Sequence, residues 1–205
     1  MQAQTWAEFY KPRMNARYLQ NLSIKYKRFL DLLCGVIDAG MDGLHDIEGG
    51  LALGCAMVET GCGAGNISRL LIERKQRRGW FHLIDNSDDM LQLARQNLQG
   101  KAGVRFYNHD IRSRLFANDY YIKCMFSHGV LEHFCEEDIN KIINSQLASC
   151  KTLVHYVPSA KYLPHKSFGD ENLWTPQEWK SICSPDNIIE FNDGYDLILC
   201  WGING

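Results

Sequence analysis

Hydrophobic and polar residues follow two alternating patterns along most of the chain. From residue 51 onward, short apolar runs typical of buried strands alternate with segments whose apolar residues recur every three or four positions, as in amphipathic helices. The predicted strands are 52–59, 80–84, 104–107, 121–126 and 152–157, followed by a hairpin of 187–191 and 195–201. Helix starts are marked by Ser87, a suitable N-cap, and by the capping box Thr175-Pro176-Gln177-Glu178. This alternation predicts an α/β fold with a doubly wound, mostly parallel sheet.

Two segments lie outside this alternation. The first fifty residues follow a helical pattern, so the predicted organisation is a helical segment at 1–50 and an α/β domain at 51–205. The first helix carries Trp6, Tyr10 and Arg13, a combination too aromatic and too polar at its tips for an ordinary core. The second segment is the loop 158–174, which includes Phe168 and Trp174 and is longer than most structureless connections. Both segments are predicted to build a lid and a binding pocket, and the alternative is that they only pack.

Composition and charge narrow the class of protein. The 205 residues are 45% hydrophobic and 22% charged, which is typical of a globular domain and excludes a disordered or fibrous chain. A net charge of −2 argues against a protein whose main task is to grip a nucleic-acid backbone. The chain has no eighteen-residue apolar run, and its N-terminus lacks the apolar stretch of a signal peptide. The eight cysteines form no CxxC pair, so we expect reduced thiols, a cytoplasmic protein and no structural zinc; the oligomeric state stays open.

The clearest chemical signal follows the first predicted strand, in the loop Glu59-Thr60-Gly61-Cys62-Gly63-Ala64-Gly65. Glycines let backbone N–H groups approach a ligand, and the N-terminus of the next helix favours negative charge. A dinucleotide-binding loop, G-x-G-x-x-G, would need glycine at Asn66. An NAD-dependent reductase is disfavoured on that ground and because no Tyr-x-x-x-Lys follows the fourth strand. Cys62 is better explained as a small loop residue than as a nucleophile, since no histidine stands beside it in sequence.

Acidic residues at the ends of the next two strands sharpen the interpretation. Ligands of open parallel sheets bind outside the carboxyl ends of the strands. Asp85 ends the second strand, where its carboxylate can accept both hydroxyls of a ribose. Asp110 follows the third strand, where it can accept from an adenine amino group, with Ile111 offering a backbone N–H and apolar cover. Together with the glycine loop, these acids predict an adenosine pocket.

Four segments in this order resemble the class I S-adenosylmethionine-dependent methyltransferases: VETGCGAG at 58–65, LIDNSDDML at 83–91, NHDIRS at 108–113 and FSHGVLEHF at 126–134. The resemblance covers about residues 50–201. It implies a seven-stranded sheet whose last strand is antiparallel and inserted between the two before it, and S-adenosyl-L-methionine as the cofactor. The implied contacts are Glu59, Gly61, Gly63 and Gly65 around the methionine part, with Cys62 in the same loop, Asp85 at the ribose, Asn86 and Met90 beside the adenine, Asp110 and Ile111 at the base, and Ser127 near the sulfonium.

A general base is optional in this class, because the sulfonium already activates the methyl group and alignment supplies much of the rate. His128 and His133 follow the fourth strand and are the candidates, since histidine titrates near neutral pH. The alternative is that one packs against a helix and the other is a surface group. With Glu132 they have poor spacing for a metal site, so no metal is predicted.

The acceptor is constrained mainly by absent motifs. Residues 127–130 do not form the Asn/Asp-Pro-Pro-aromatic segment of DNA amino-methyltransferases, the chain has no Pro-Cys dipeptide, and Ser159-Ala160-Lys161 lacks the acids of a catechol-type magnesium site. We therefore expect a methyltransferase acting on a small molecule, with Trp6, Tyr10, Arg13, Phe168 and Trp174 as candidate acceptor contacts and nucleic acid as the less favoured partner. The alternative is a non-catalytic regulatory module that binds S-adenosylmethionine or S-adenosylhomocysteine.

Overall fold

Seven strands form one sheet in the computed structural model, which describes residues 5–39, 56–75, 80–114, 122–165 and 171–203. The strands are β1 Ala56–Thr60, β2 Trp80–Asp85, β3 Val104–Asn108, β4 Ile122–His128, β5 Cys150–Pro158, β6 Asn187–Phe191 and β7 Asp196–Trp201. Their order is β3-β2-β1-β4-β5-β7-β6. Strand β2 is parallel to β1 and β3, β4 is parallel to β5, and β7 is antiparallel to β5 and β6. The predicted α/β fold, with a mostly parallel sheet and an antiparallel last strand, is confirmed.

The helices begin where the sequence supplies caps. They are α1 Trp6–Tyr10, α2 Ala16–Lys25, α3 Lys27–Ala39, α4 Asn66–Lys75, α5 Asp88–Asn97, α6 Glu136–Leu147 and α7 Pro176–Cys183. The Ser87 hydroxyl accepts from the Met90 N–H at the start of α5, and Thr175 and Glu178 form the expected capping box of α7. Strand β4 runs two residues beyond its predicted end because Ser127 and His128 pair with His155 and Tyr156 of β5.

The chain divides into two compact units, Met1–Ile111 and Arg112–Gly205. The first contains β1–β3 and α1–α5, and its core includes Phe29, Leu71, Leu83 and Leu91. The second contains β4–β7, α6 and α7, and its core includes Phe126, Ile139, Ile142 and Trp179. The sequence boundary after residue 50 stays a prediction. Among the helices in the described ranges, none is long and apolar enough to cross a membrane.

Candidate functional site

The glycine loop of the first unit has the backbone conformation that its sequence requires. Gly61, Gly63 and Gly65 have φ angles of 62°, 52° and 68°, a region that residues with a Cβ rarely adopt. The Cys62 N–H donates to the Ile84 carbonyl oxygen of β2 at 2.9 Å, and the Gly65 N–H donates to the Cys62 carbonyl oxygen at 2.8 Å. The loop is therefore closed by its own hydrogen bond and tied to the end of the neighbouring strand.

Asp85, at the end of β2, faces this loop. Its Oδ2 accepts from the Gly63 N–H at 2.8 Å, and its Oδ1 accepts from the Ser87 N–H at 3.0 Å. Burial raises the pKa of Asp85, while the N–H groups of Gly63, Ser87 and Asn86 act in the opposite direction. A carboxylate offers about four lone-pair positions, so capacity remains beside these N–H groups for a further donor. A ribose hydroxyl is a donor of this kind, and the ribose contact of Asp85 stays a prediction.

Glu59 is hydrogen-bonded to the first turn of α4. Its side chain is buried at the end of β1, and Oε2 accepts from both the backbone N–H and the hydroxyl of Ser68 in the first turn of α4. Burial raises the pKa of Glu59 to about 8, although the Ser68 hydrogen bonds oppose the shift. In the structure Glu59 fixes α4 to β1, and contact of its carboxyl with the methionine part of a cofactor stays a prediction.

The glycines of the loop differ in what surrounds them. A Cβ on Gly63 would lie 3.2 Å from the Met90 Cε atom, so Gly63 and Met90 are neighbours. A Cβ on Gly65 would lie 2.9 Å from Leu83 and 3.0 Å from Leu98. The absence of a side chain at Gly65 therefore allows the loop to pack against β2 and α5, because the Cβ position of Gly65 points toward buried leucines.

The side-chain amide of Asn97 forms a hydrogen-bond network with the glycine loop and α4 that the sequence did not predict. Asn97, near the end of α5, donates through Nδ2 to the Ala64 carbonyl oxygen at 2.8 Å and to the Asn66 Oδ1 at 2.9 Å. Its Oδ1 accepts from the Arg69 Nη1 at 2.7 Å. The network anchors the glycine loop to α5, and Asn97 has no local signal because its partners lie about thirty positions away in sequence.

The remaining residues assigned to the adenine side lie close to Asp85. Asn86 is exposed directly after it, whereas Met90 is buried in α5. The His109 N–H donates to the Asp85 carbonyl oxygen at 3.0 Å, which brings the end of β3 beside the end of β2. Asp110 and Ile111 follow at once and are half-buried. The first unit thus gathers the predicted ribose and adenine residues at one edge of its three strands.

The N-terminal helix covers part of this edge. Ala7, Tyr10 and Met14 pack against a buried cluster of Ala64, Met90 and Leu93, which belongs to the glycine loop and α5. Trp6 is 37% exposed and stacks on Tyr10 with ring centroids 6.1 Å apart. The Arg13 guanidinium lies 3.7 Å from the centroid of the Phe9 ring. The aromatic group therefore lies beside the residues predicted to hold the cofactor.

In the second unit, Ser127 lies in the interior rather than at a surface. Its hydroxyl is 2.6 Å from the His155 Nδ1, and both residues are fully buried. Burial lowers the pKa of His155 to about 3, so this imidazole is neutral at physiological pH. The contact of Ser127 with the sulfonium stays a prediction, and the hydroxyl is engaged by His155 in this structure.

The two candidate histidines differ in their surroundings. The His128 ring stacks on the Tyr156 ring, with centroids 4.3 Å apart and planes 17° from parallel. His133 ends a short 3-10 turn, Leu131–His133, and its N–H donates to the Val130 carbonyl oxygen at 3.2 Å. Both side chains are half-buried. His128 is held by a defined ring contact, and the catalytic role of either histidine stays a prediction.

Glu132, between these histidines, is a buried acid that sequence reasoning considered only as a poor metal ligand. It is 2% exposed, its Oε1 lies against Gly129, and its Oε2 has no hydrogen-bond partner among the described residues. Burial raises the pKa of Glu132 to about 8, and the neighbouring carboxyl of Glu171 adds to the shift. The side chain is thus a neutral carboxylic acid at pH 7.

The predicted acceptor residues of the long loop are only partly described. Phe168 lies outside the described residues. Trp174 is half-buried and contacts the core Trp179 edge-on, with centroids 4.7 Å apart, which is a packing contact. Its acceptor role stays a prediction. Within the described ranges no group of three or more histidine, cysteine or acidic side chains is placed to hold a metal ion.

Comparisons with known proteins identify the family of the chain. A methyltransferase domain family matches residues 52–188, which is more than half of the chain. The chain belongs to this family and is a methyltransferase. The cofactor expected from the sequence, S-adenosyl-L-methionine, is the methyl donor that the family uses. No curated protein matches the chain.

Solved structures with a similar fold have distant sequences. The PH0226 protein of Pyrococcus horikoshii OT3 has a TM-score of 0.69 at 15% identity, over 96% of this chain and 99% of that one. Magnesium protoporphyrin IX methyltransferase of Synechocystis PCC 6803, with bound SAH, has a TM-score of 0.60 at 16% identity, over 91% and 86%. The small RNA methyltransferase HEN1 has a TM-score of 0.62 at 16% identity, over 85% of this chain and 24% of that one. At these identities the likeness establishes the fold.

Proposed function

We propose that this methyltransferase transfers a methyl group from S-adenosyl-L-methionine to a small-molecule acceptor. The observation that supports the cofactor half of the proposal is the position of the Asp85 carboxylate, which accepts from the Gly63 and Ser87 N–H groups beside the glycine loop. The bound cofactor supplies an electrophilic methyl carbon. The protein binds the adenosine through Asp85, Asn86, Met90, Asp110 and Ile111, and the loop Gly61–Gly65 lets its backbone approach the methionine part.

We assign the acceptor to small molecules because the chain offers aromatic side chains rather than a basic surface. Its net charge is −2, Tyr10 packs against the cluster that contains Met90, Trp6 stacks on Tyr10, and Arg13 lies over the Phe9 ring. Rings that enclose a few polar groups are typical of small-molecule pockets. In the same proposal Phe168 and Trp174 contribute from the long loop, and His128 or His133 receives the acceptor's proton.

Cofactor binding is tested by calorimetry with S-adenosylmethionine, S-adenosylhomocysteine and NAD. We expect binding of the first two and not of NAD, and Asp85→Ala should weaken binding by about 1.5–3 kcal/mol because hydrogen bonds to a charged acceptor are lost. Asp89→Ala is the matched control, since this acid lies four residues away, is exposed and belongs to the first turn of α5. Equal affinity in the Asp85 and Asp89 variants would contradict the ribose assignment.

Transfer is tested with labelled methyl donor against separate small-molecule and RNA extracts. Label entering the small-molecule fraction supports the proposal. Label entering RNA alone would overturn the acceptor class, and tight cofactor binding with no transfer to either extract would favour the regulatory module instead.

A further inference from the structure

The His128 ring contacts Tyr156, and Tyr156 is hydrogen-bonded to the buried carboxylate of Asp196. His128 pairs with Tyr156 across β4 and β5, and Asp196 pairs with Pro158 across β7 and β5. Directly paired positions and those two residues along share a face of the sheet, so His128, Tyr156 and Asp196 lie on the same face. The Tyr156 hydroxyl donates to the Asp196 Oδ1 at 2.6 Å, and the Tyr156 ring stacks on His128. The three side chains form a continuous contact from β7 to the end of β4.

Asp196 is fully buried, yet its carboxylate is well supplied with donors. Oδ1 accepts from the hydroxyls of Tyr156 and Tyr162, the second at 3.1 Å, and Oδ2 accepts from the Asn192 Nδ2. Donors of this kind stabilise the ionised form of an acid. The three described donors are two hydroxyls and one amide, so none of them offsets the formal negative charge of an aspartate.

A purely structural role would not require that charge. Apolar residues of similar size commonly replace buried charged groups without loss of stability, whereas a buried charge near a titratable side chain changes the chemistry of that side chain. Here the side chain of Tyr156 lies between the Asp196 carboxylate and the His128 ring. A negative charge and an aromatic face both favour the protonated imidazolium over the neutral ring.

We propose that Tyr156 and Asp196 are positioning residues for His128: they fix the plane of its imidazole and favour the form that holds the proton lost by the acceptor. This inference rests on the proposed function. Methyl transfer would break the carbon–sulfur bond of the sulfonium donor as the acceptor–carbon bond forms, leaving S-adenosylhomocysteine. The proton that the acceptor loses would pass to an imidazole nitrogen of His128. Tyr156 contacts His128 directly, and Asp196 acts through Tyr156.

The test compares two conservative variants that each remove one hydroxyl from Asp196. Tyr156→Phe keeps the ring on His128 but loses its link to Asp196, and Tyr162→Phe is the matched control, because the described ring contact of Tyr162 is with Tyr195 and not with His128. The imidazole signals of the full-length protein without ligands are followed by NMR as a function of pH, with His128→Gln used for assignment. We expect Tyr156→Phe to move the midpoint of the His128 titration down by about half a pH unit or more, and Tyr162→Phe by less than half as much.

Other groups near His128 also titrate, so they are followed in the same spectra or removed. These are Glu132, four residues after His128 in sequence, Tyr162, which donates to Asp196, and Asp196 itself. Repeating the titration in a Glu132→Gln background removes the acid that follows His128 in sequence. Asp196→Asn should reproduce the Tyr156→Phe shift; if it does not fold, the two tyrosine variants decide alone, since each loses a single hydroxyl.

Transfer supplies a second readout once labelled product is seen. Tyr156→Phe should lower kcat about tenfold with little change in KM and displace the pH profile in the same direction as the NMR midpoint, while Tyr162→Phe should do neither. Identical His128 midpoints in wild type, Tyr156→Phe and Tyr162→Phe would overturn the inference even if the enzyme transfers methyl groups. Absence of transfer by wild type would overturn the proposed function, and the NMR result would still decide whether Asp196 acts on His128.

Discussion

Glu59 and Glu132 are buried acids of the two units, and each has a pKa raised to about 8 mainly by burial. They differ in their partners: Glu59 accepts two hydrogen bonds from Ser68, whereas the Oε2 of Glu132 has no described partner. A buried polar atom without a partner is costly, and the cost is far greater when the group is ionised than when it is neutral. Protonation of Glu132 should therefore affect the free energy of unfolding without the added effect of side-chain hydrogen bonds that Glu59 has.

We predict that Glu132→Gln changes the pH dependence of the free energy of unfolding. The folded protein holds the Glu132 proton up to about pH 8, while the unfolded chain loses it near the ordinary value, so the folded state binds the extra proton between these limits. Stability from this group is present below the unfolded pKa and is lost as pH rises toward 8. The glutamine variant lacks that loss, so its stability relative to wild type should improve by about 2–4 kcal/mol between pH 5 and pH 8.

Urea unfolding at pH 5 and pH 8 measures this difference. Glu136→Gln is the control, because Glu136 is an exposed acid four residues later in the first turn of α6. A relative stability that is the same at both pH values in Glu132→Gln would show that the Glu132 carboxyl is ionised in the folded protein.

At the scale of elements, the glycine loop packs closely against β2 and α5 at Gly65. Gly65→Ala would require a positive φ and place a methyl group 2.9 Å from Leu83, so we predict a loss of about 2–4 kcal/mol in stability. Gly100→Ala is the matched control: it has a φ of 80°, but a Cβ there would meet nothing within 4 Å. Unfolding in urea should therefore separate backbone strain from crowding, and equal losses in the two variants would contradict the packing role of Gly65.

The elements were predictable where the signals are local. The capping box at Thr175, the N-cap at Ser87 and the acids that follow β2 and β3 could all be read within a few residues. The contacts that hold these elements together could not, because they join distant positions. Asn97 and Ala64 are 33 residues apart, and Tyr156 and Asp196 are 40 apart. Glu59 shows the same limit: its motif was visible, but its hydrogen bonds to Ser68 depend on how α4 returns to β1.

At the scale of the whole molecule, the thiols report on the folded state. The seven described cysteines are all free; Cys62, Cys124, Cys183 and Cys200 are buried, and Cys135 is exposed. We predict that a thiol reagent labels Cys135 first in the native protein and all eight cysteines after denaturation. Cys135→Ser should remove the fast phase of labelling in the native protein and reduce by one the number of thiols labelled after denaturation. Rapid labelling of most thiols in the native state would contradict the buried positions, and fewer than eight after denaturation without reductant would contradict reduced cysteines.

Asn66 has a consequence for how this protein could change its cofactor in evolution. It stands where a dinucleotide-binding loop carries its third glycine, and its amide oxygen accepts from Asn97, which also holds the Ala64 carbonyl. Glycine at this position alone would complete the dinucleotide pattern but leave a buried donor of Asn97 without its partner, a penalty of about 1–3 kcal/mol. A viable mutational path toward a nicotinamide cofactor would therefore need a compensating change at Asn97 in α5, so a buried contact of the first unit limits which residues the loop can accept.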